Sequence, residues 1–332
     1  MNFQIKSQLP PRTLGHTAHT AIQKHFRKAI KHEEAVLADQ DPECLHQMRV
    51  GLRRLRTAIQ VFSRAIVLPK SIHDRQIQKF AQALGSVRDL DVMAAELTPD
   101  TDLPKSERKA LNKVLRKLQK IRSKHFKNMQ KMLHSKKYAA FKEDLQDWLT
   151  LPKYEAIAQF PIQEVLSDFL LPLISQTLLH PGWLVGIEFE TGRTILPPLT
   201  TQFIQEQLSE NDIQLHSLRK QVKRVRYQTE LFVEMFDQDY QEQIEEFKTI
   251  QDVLGEIQDS VVLHEFFDQQ LKESIEEICP QFSEHLNQKK WQAWQQWRSL
   301  QTKYLDSQFR NQLRSLVMPN TSELTFTKSL VN

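Results

Sequence analysis

Apolar residues recur at spacings of three and four along most of this chain, the period of a helix burying one face. In 46-HQMRVGLRRLR-56 and its continuation, Met48, Leu52, Leu55, Ile59 and Phe62 share one arc at about 100° per residue. The same period predicts helices over 18–37, 105–133, 216–226 and 286–316, with a counterpart of the first helix around 201–210. Prolines punctuate it. Pro10 and Pro11 precede the first helical stretch, Pro42 starts another and Pro69 follows its end. Pro99 and Pro104 bracket a short loop, and Pro152 closes a further helix. Between 180 and 200, prolines gather with Gly182, Gly186 and Gly192, predicting a joining segment with a short extended piece at 184–190.

The polar positions are as ordered as the apolar ones. His46, Arg49, Arg53 and Arg56 fall within an arc of roughly 80°, about 120° round from the apolar stripe. In 105–133, Lys109, Lys113, Arg116, Lys120, Lys124, Lys127 and Lys131 fall within about 80° of one another, over roughly 33 Å of helix. Leu111, Val114, Leu115, Leu118, Ile121, Met129 and Met132 hold the opposite face. Lys24, Arg27, Lys28 and Lys31 add cations to the first helix.

Sliding the chain by 170 residues exposes an internal repeat. Leu45-His46 falls on Leu215-His216, Arg49 on Arg219, Arg53 on Lys223, Arg54 on Arg224, Arg56 on Arg226 and Phe62 on Phe232. Without a gap, Leu84-Gly85 then falls on Leu254-Gly255, Asp89 on Asp259 and Val92 on Val262. Four of the 10 identities over 45–92 are His or Arg, which core packing alone has no reason to repeat. The second copy therefore offers its own stripe, His216, Arg219, Lys223, Arg224 and Arg226, with Tyr227 beside it as a hydrogen-bond donor. Arg88 matches Gln258, so any contact there is one-sided.

Composition narrows the chemistry. Only 7 of 332 residues are glycine, where average usage would give roughly 23. No glycine-rich phosphate loop of Rossmann or P-loop type is present, and most all-β folds are excluded. No apolar run reaches the ~18 residues of a membrane span, and the N-terminus lacks a secretory apolar core. Cys44 and Cys279 make no metal-spacing pattern and read as reduced thiols of a cytoplasmic protein. Residues 1–170 hold 30 Lys and Arg against 18 Asp and Glu, a basic half that calls for an anionic partner.

Three functions compete for these stripes. Like charges three and four apart repel unless an anion sits on them, and no acidic residue stands at i±4 within 46–64 or 216–226. Binding of a linear polyanion through Arg, Lys and His fits best. Arginine makes bidentate contacts with phosphate oxygens and lysine supplies point charge. A phosphoryl-transfer enzyme would need carboxylates around a metal ion, and Asp89 and Asp91, two apart on a helix, do not face each other. A nucleic-acid binder would stack bases on aromatic rings, and only Tyr227 is aromatic on these arcs. Trp291, Trp294 and Trp297 read as core. Gly85 and Gly255 read as sites of close helix approach, and Asp89 and Asp259 as partners that orient a stripe arginine.

The paired motif, LHQMRVGLRRLRTAIQVF with LGSVRDLDV and LHSLRKQVKRVRYQTELF with LGEIQDSVV, resembles the CHAD domain, the conserved histidine α-helical domain. The resemblance covers nearly the whole chain, with 180–200 as an insert. It implies an all-α fold of two pseudo-symmetric four-helix bundles around a basic groove, as a single domain over 1–332. The first half would run over 12–160, the joining segment over 161–200 and the second half over 201–318. It also implies non-catalytic binding of inorganic polyphosphate and association with polyphosphate granules, with no metal and no cofactor. Carried over, the motif residues are His46, Arg49, Arg53 and Arg56, and His216, Arg219, Lys223 and Arg226.

Overall fold

The computed structural model describes residues 9–98, 102–191, 193–271 and 274–318. Pro99 and Gly192 lie outside the described residues. Among the described residues the fold is all-α apart from one small hairpin. Its contacts divide it into two compact units, 1–159 with 257–290, and 160–256 with 291–332.

The first unit opens with α1 (Leu14–Lys31), α2 (Glu33–Leu37), α3 (Pro42–Val61), α4 (Asp74–Glu96), α5 (Lys105–Leu133) and α6 (Lys136–Thr150). Four of these starts carry a side-chain cap. Thr13 caps α1, Asp41 caps α3 with Pro42 in the first turn, and Ser135 caps α6. His73 caps α4, its ring nitrogen accepting from the Gln76 N–H at 3.3 Å. Helix α1 packs on α3, α3 on α4 and α4 on α5. The predicted core stripe of α3, Met48 through Phe62, is buried. Gly51 lets α1 and α3 touch backbone to backbone, since a Cβ there would lie 2.7 Å from the Ala29 nitrogen. Phe80, Tyr138 and Phe141 meet ring to ring on the same core.

A second cluster in this unit sets Leu97, Leu111, Val114 and Leu118 against Leu263, Phe267, Ile275, Cys279, Phe282 and Leu286. The Glu107 carboxylate is buried and accepts from the Gln281 and Phe282 N–H groups at 3.3 and 3.0 Å, capping the helix that starts at Pro280. Cys279 is buried and Cys44 half-buried, both as free thiols, and burial pushes Cys279 up to about 11.

The segment 161–200 holds more than a connector. Helix α7 (Ile162–Leu178) buries Leu166, Leu170, Leu173 and Ile174 with Pro172 inside it. A 3-10 turn buries Trp183, and the hairpin β1 (Glu188–Glu190) and β2 (Arg193–Ile195) follows. The extended piece expected at 184–190 therefore begins only at Glu188, after the 3-10 turn, and pairs with a second strand that ends at Ile195. Helices α8 (Thr201–Thr229), α9 (Gln238–Leu271), α10 (Ile275–Ile278), α11 (Pro280–Leu305) and α12 (Ser307–Ser315) follow among the described residues. Helix α7 packs on α8 and on α12. Trp183 stacks on Trp297 and Tyr304 at 5.2 and 4.6 Å, and Trp294 is buried, as expected for core tryptophans. The buried Gln301 amide donates to the Trp183 and Val185 carbonyls at 2.7 and 2.8 Å.

Candidate functional site

In the first unit, α3 turns its apolar stripe inward and leaves His46, Arg49, Arg53, Arg54 and Arg56 half-buried. Packing of α4 beside α3 brings three further groups to the row. The Arg49 guanidinium meets the Asp89 carboxylate at 3.0 Å. Arg56 makes a two-pronged pair with Asp74 at 2.7 and 2.8 Å, and the Gln60 amide donates to the same carboxylate at 2.6 Å. Arg88 comes close enough to act on His46. The stripe is thus not without acids. They come from α4, 18 and 40 residues further on, where i±4 counting cannot see them.

Burial, above all, lowers the His46 pKa below its ordinary value; Glu43 pulls the other way, and the charges of Arg88, Arg49 and Arg53 each add a lesser lowering. The neutral imidazole expected from like charge alone has desolvation as its main cause. Asp74 is held below the usual carboxylate range, chiefly by its hydrogen bond from Arg56.

Gly85, one residue of the repeated Leu-Gly pair, lies against Arg49. A Cβ at Gly85 would sit 3.4 Å from the Arg49 Nε and Nη2 atoms. The second unit repeats the relation, with a Cβ at Gly255 falling 2.9 Å from Arg219 Nη2. Each glycine clears space for the first arginine of its own motif helix. The close approach expected at these glycines is therefore to a guanidinium.

A residue that the motif does not contain joins this site. His25 on α1 is buried, and its surroundings hold it down at about 4, first by desolvation and then by the charges of Arg54, Lys24 and Lys28. Its position three residues after Ile22 and four before Ala29 puts it on the core arc of α1, a signal present in the periodicity. Lys24, Arg27 and Lys31 are exposed and Lys28 is half-buried.

The lysine row of α5 stands as its spacing predicts. Lys109, Lys113, Arg116, Lys120, Lys124, Lys127 and Lys131 are all exposed, and Leu111, Val114, Leu118 and Met129 are buried behind them. Arg122 lies off the row. It pairs with Asp39 at 2.7 and 2.8 Å and with Asp91, which raises its pKa and ties α5 to the turn after α2 and to α4. Asp89 and Asp91 thus serve two different arginines.

In the second unit, His216 and Arg224 are exposed, and Arg219, Lys223 and Arg226 are half-buried. Leu218, Val222, Val225 and Phe232 are buried as expected. Arg226 pairs with Glu230 at 3.2 Å, an i,i+4 acid just past the end of the motif. Tyr227 differs from its expected place beside the stripe. It is buried, and the Arg226 guanidinium lies 4.9 Å from its ring centre. It supports the arginine through its face, and its burial owes nothing to the core stripe, since position 227 lies about 200° round the helix from the buried Val225.

No three or more His, Cys, Asp or Glu side chains gather as for a metal ion among the described residues. Among them, no helix is long and apolar enough to cross a membrane.

No curated protein matches the sequence. Among solved structures, a CHAD domain from the plant Ricinus communis is 22% identical with a TM-score of 0.56, covering 96% of this chain and 99% of that one. PptA from Streptomyces chartreusis is 14% identical with a TM-score of 0.51, covering 85% of this chain and 99% of its own. Both identities are low, so these likenesses speak for the fold. The CHAD domain model matches residues 20–268, well over half of the sequence and both copies of the His-x-x-Arg motif, so this chain belongs to the CHAD domain family.

Proposed function

We propose that this protein binds inorganic polyphosphate, without acting on it, through the arginines, lysines and histidines of its helices. The observation that carries this reading is the exposed row on α5. Seven cations occupy one face of a single helix, each separated from the next by three or four residues. A row of that length matches a linear polyanion and exceeds any small ligand. The α3 stripe supplies the second element. Asp89, Asp74 and Gly85 fix the guanidinium planes of Arg49 and Arg56, so little rotamer freedom is lost when phosphate oxygens arrive. A guanidinium carries five N–H donors, more than one carboxylate can take up. His46, Arg53, Arg54 and Arg88 stand close by for further contacts, with Lys24, Arg27, Lys28 and Lys31 on α1. The matching residues of α8, His216, Arg219, Lys223, Arg224 and Arg226, take part on the second unit. The role places the protein in the cytoplasm, where polyphosphate granules form.

The carboxylates nearest the stripe orient arginines, which favours binding over phosphoryl transfer. Titrating polyphosphate against the full chain tests the reading. Replacing Arg49 and Arg53 by Glu should remove binding while far-ultraviolet circular dichroism keeps its helical signal. RNA that displaces polyphosphate at equal charge concentration would turn the assignment to nucleic acid. Chain shortening with Mg²⁺ or Mn²⁺ would make the protein an enzyme.

A further inference from the structure

Among the described residues, the hairpin of the second unit is the one element built without a covered face. All six residues of β1 and β2 are exposed, with Phe189 at 61% and Ile195 at 36%. Leu196 beside them is also exposed. An isolated two-stranded ribbon is marginal in water, and its edges carry backbone groups that seek a further strand. We propose that this hairpin is a contact between two copies of the chain, with their β2 strands pairing antiparallel about Thr194.

The charge pattern selects that edge. Within the hairpin Glu188 opposes Ile195, Phe189 opposes Thr194 and Glu190 opposes Arg193. Pairing two β1 edges about Phe189 would set Glu188 directly against Glu190 of the other copy, twice. Pairing β1 to β2 of the next copy is head-to-tail and leaves two open edges, so it grows without closing. Pairing two β2 edges about Thr194 sets Arg193 against Ile195 of the second copy and closes as a two-fold dimer. Shifting the centre to Arg193 would oppose two arginines. Shifting it to Ile195 would pair Thr194 and Arg193 with Leu196 and Pro197, which lie beyond the end of β2. The result is a four-stranded sheet with Phe189 and Thr194 of both copies on one face.

The backbone agrees. Thr191, beside the paired Glu190 and Arg193, has φ 49°, in the left-handed region. Glu190 and Arg193 then form the hydrogen-bonded closing pair, and the next pair along turns the Thr194 N–H and C=O outward. Nothing in this contact involves polyphosphate.

Sedimentation of the full chain over a range of concentrations tests it. The wild type should reach dimer. Ile195→Arg gains Glu188 opposite it within its own hairpin but faces Arg193 across the two-fold. It should weaken the dimer about tenfold, from two symmetry-related contacts. Thr194→Pro removes only an outward donor and should also give monomer, with the thermal midpoint unchanged. A wild type that stays monomeric at its highest soluble concentration overturns the proposal. So does an Ile195→Arg protein that associates as tightly as the wild type.

Discussion

Arg49 lies over Gly85, and Arg219 lies over Gly255, 170 residues further along in each case. The two parts of the repeated motif, the basic helix and the Leu-Gly-x-x-x-Asp stretch, are thus one device. The second part carries the floor for the arginine of the first, and in the first copy Asp89 adds the carboxylate that holds it at 3.0 Å.

The two glycines should respond differently to a methyl group. At Gly85 the added Cβ meets Arg49 at 3.4 Å, an ordinary contact, and alanine gains about 0.5–1 kcal/mol of helix propensity. Gly85→Ala should therefore raise the thermal midpoint and keep polyphosphate affinity. At Gly255 the Cβ comes within 2.9 Å of Arg219, so alanine should push the guanidinium aside. Gly255→Ala should melt no lower than wild type yet bind polyphosphate more weakly. Paired calorimetric titrations and thermal melts read both outcomes.

The pair between Arg56 and Asp74 should matter more for geometry than for stability. Its side chains are 30% and 41% exposed, which places it with surface pairs worth at most about 1 kcal/mol. Arg56→Ala should cost no more than that in urea denaturation. Because Asp74 is depressed in the folded protein, its contribution is present above the unfolded carboxylate pKa and is lost as pH falls through the folded value. Arg56→Ala should remove that part of the acid sensitivity, leaving a flatter stability profile below about pH 4.

His25 gives a separate acid response. Its folded pKa of about 4 lies below the unfolded value of 6.5, so the unfolded chain takes up the proton first. Stability from this group is complete above pH 6.5 and is lost progressively down to about 4, by roughly 3 kcal/mol for the full shift. His25→Gln should flatten the denaturation profile across that window. An unchanged profile would show that His25 does not control it.

His46 should gain a proton when polyphosphate binds. Burial and the neighbouring arginines disfavour its cation in the free protein, and an arriving phosphate reverses the local charge. Calorimetry in two buffers of different ionisation enthalpy should show net uptake near pH 6 and above. His46→Gln should reduce the uptake, and identical heats in both buffers would exclude it.

Salt should separate the α5 row from the α3 stripe. Each lysine neutralising a phosphate releases counterions, so binding weakens linearly on a log–log plot against salt. Changing Lys113, Lys120 and Lys127 to Gln should lower that slope. Arg53→Gln should lower affinity more than it lowers the slope.

Much of this protein is fixed by local sequence. Helical periodicity placed the buried stripe of α3 and the exposed row of α5, because one face of a helix must leave water wherever the chain packs; of the three tryptophans expected in the core, Trp294 and Trp297 are buried and Trp291 is half-buried. The 170-residue offset joined Arg49 to Gly85 and Arg219 to Gly255 as recurring letters, before their contact could be known. Caps at Thr13, Asp41 and Ser135 set the helix starts by neighbouring residues alone. Tertiary structure decided what depends on residues far apart in the chain. It alone brought Asp74 to the stripe, buried Tyr227, and made 188–190 and 193–195 an uncovered hairpin, whereas the pairing of Asp89 with a stripe arginine was already legible in the repeat. It also set His25 beneath Arg54, and desolvation, which only packing determines, is what holds both His25 and His46 neutral. Periodicity reports which side of a helix is dry; only the neighbouring helix reports which charges it meets there.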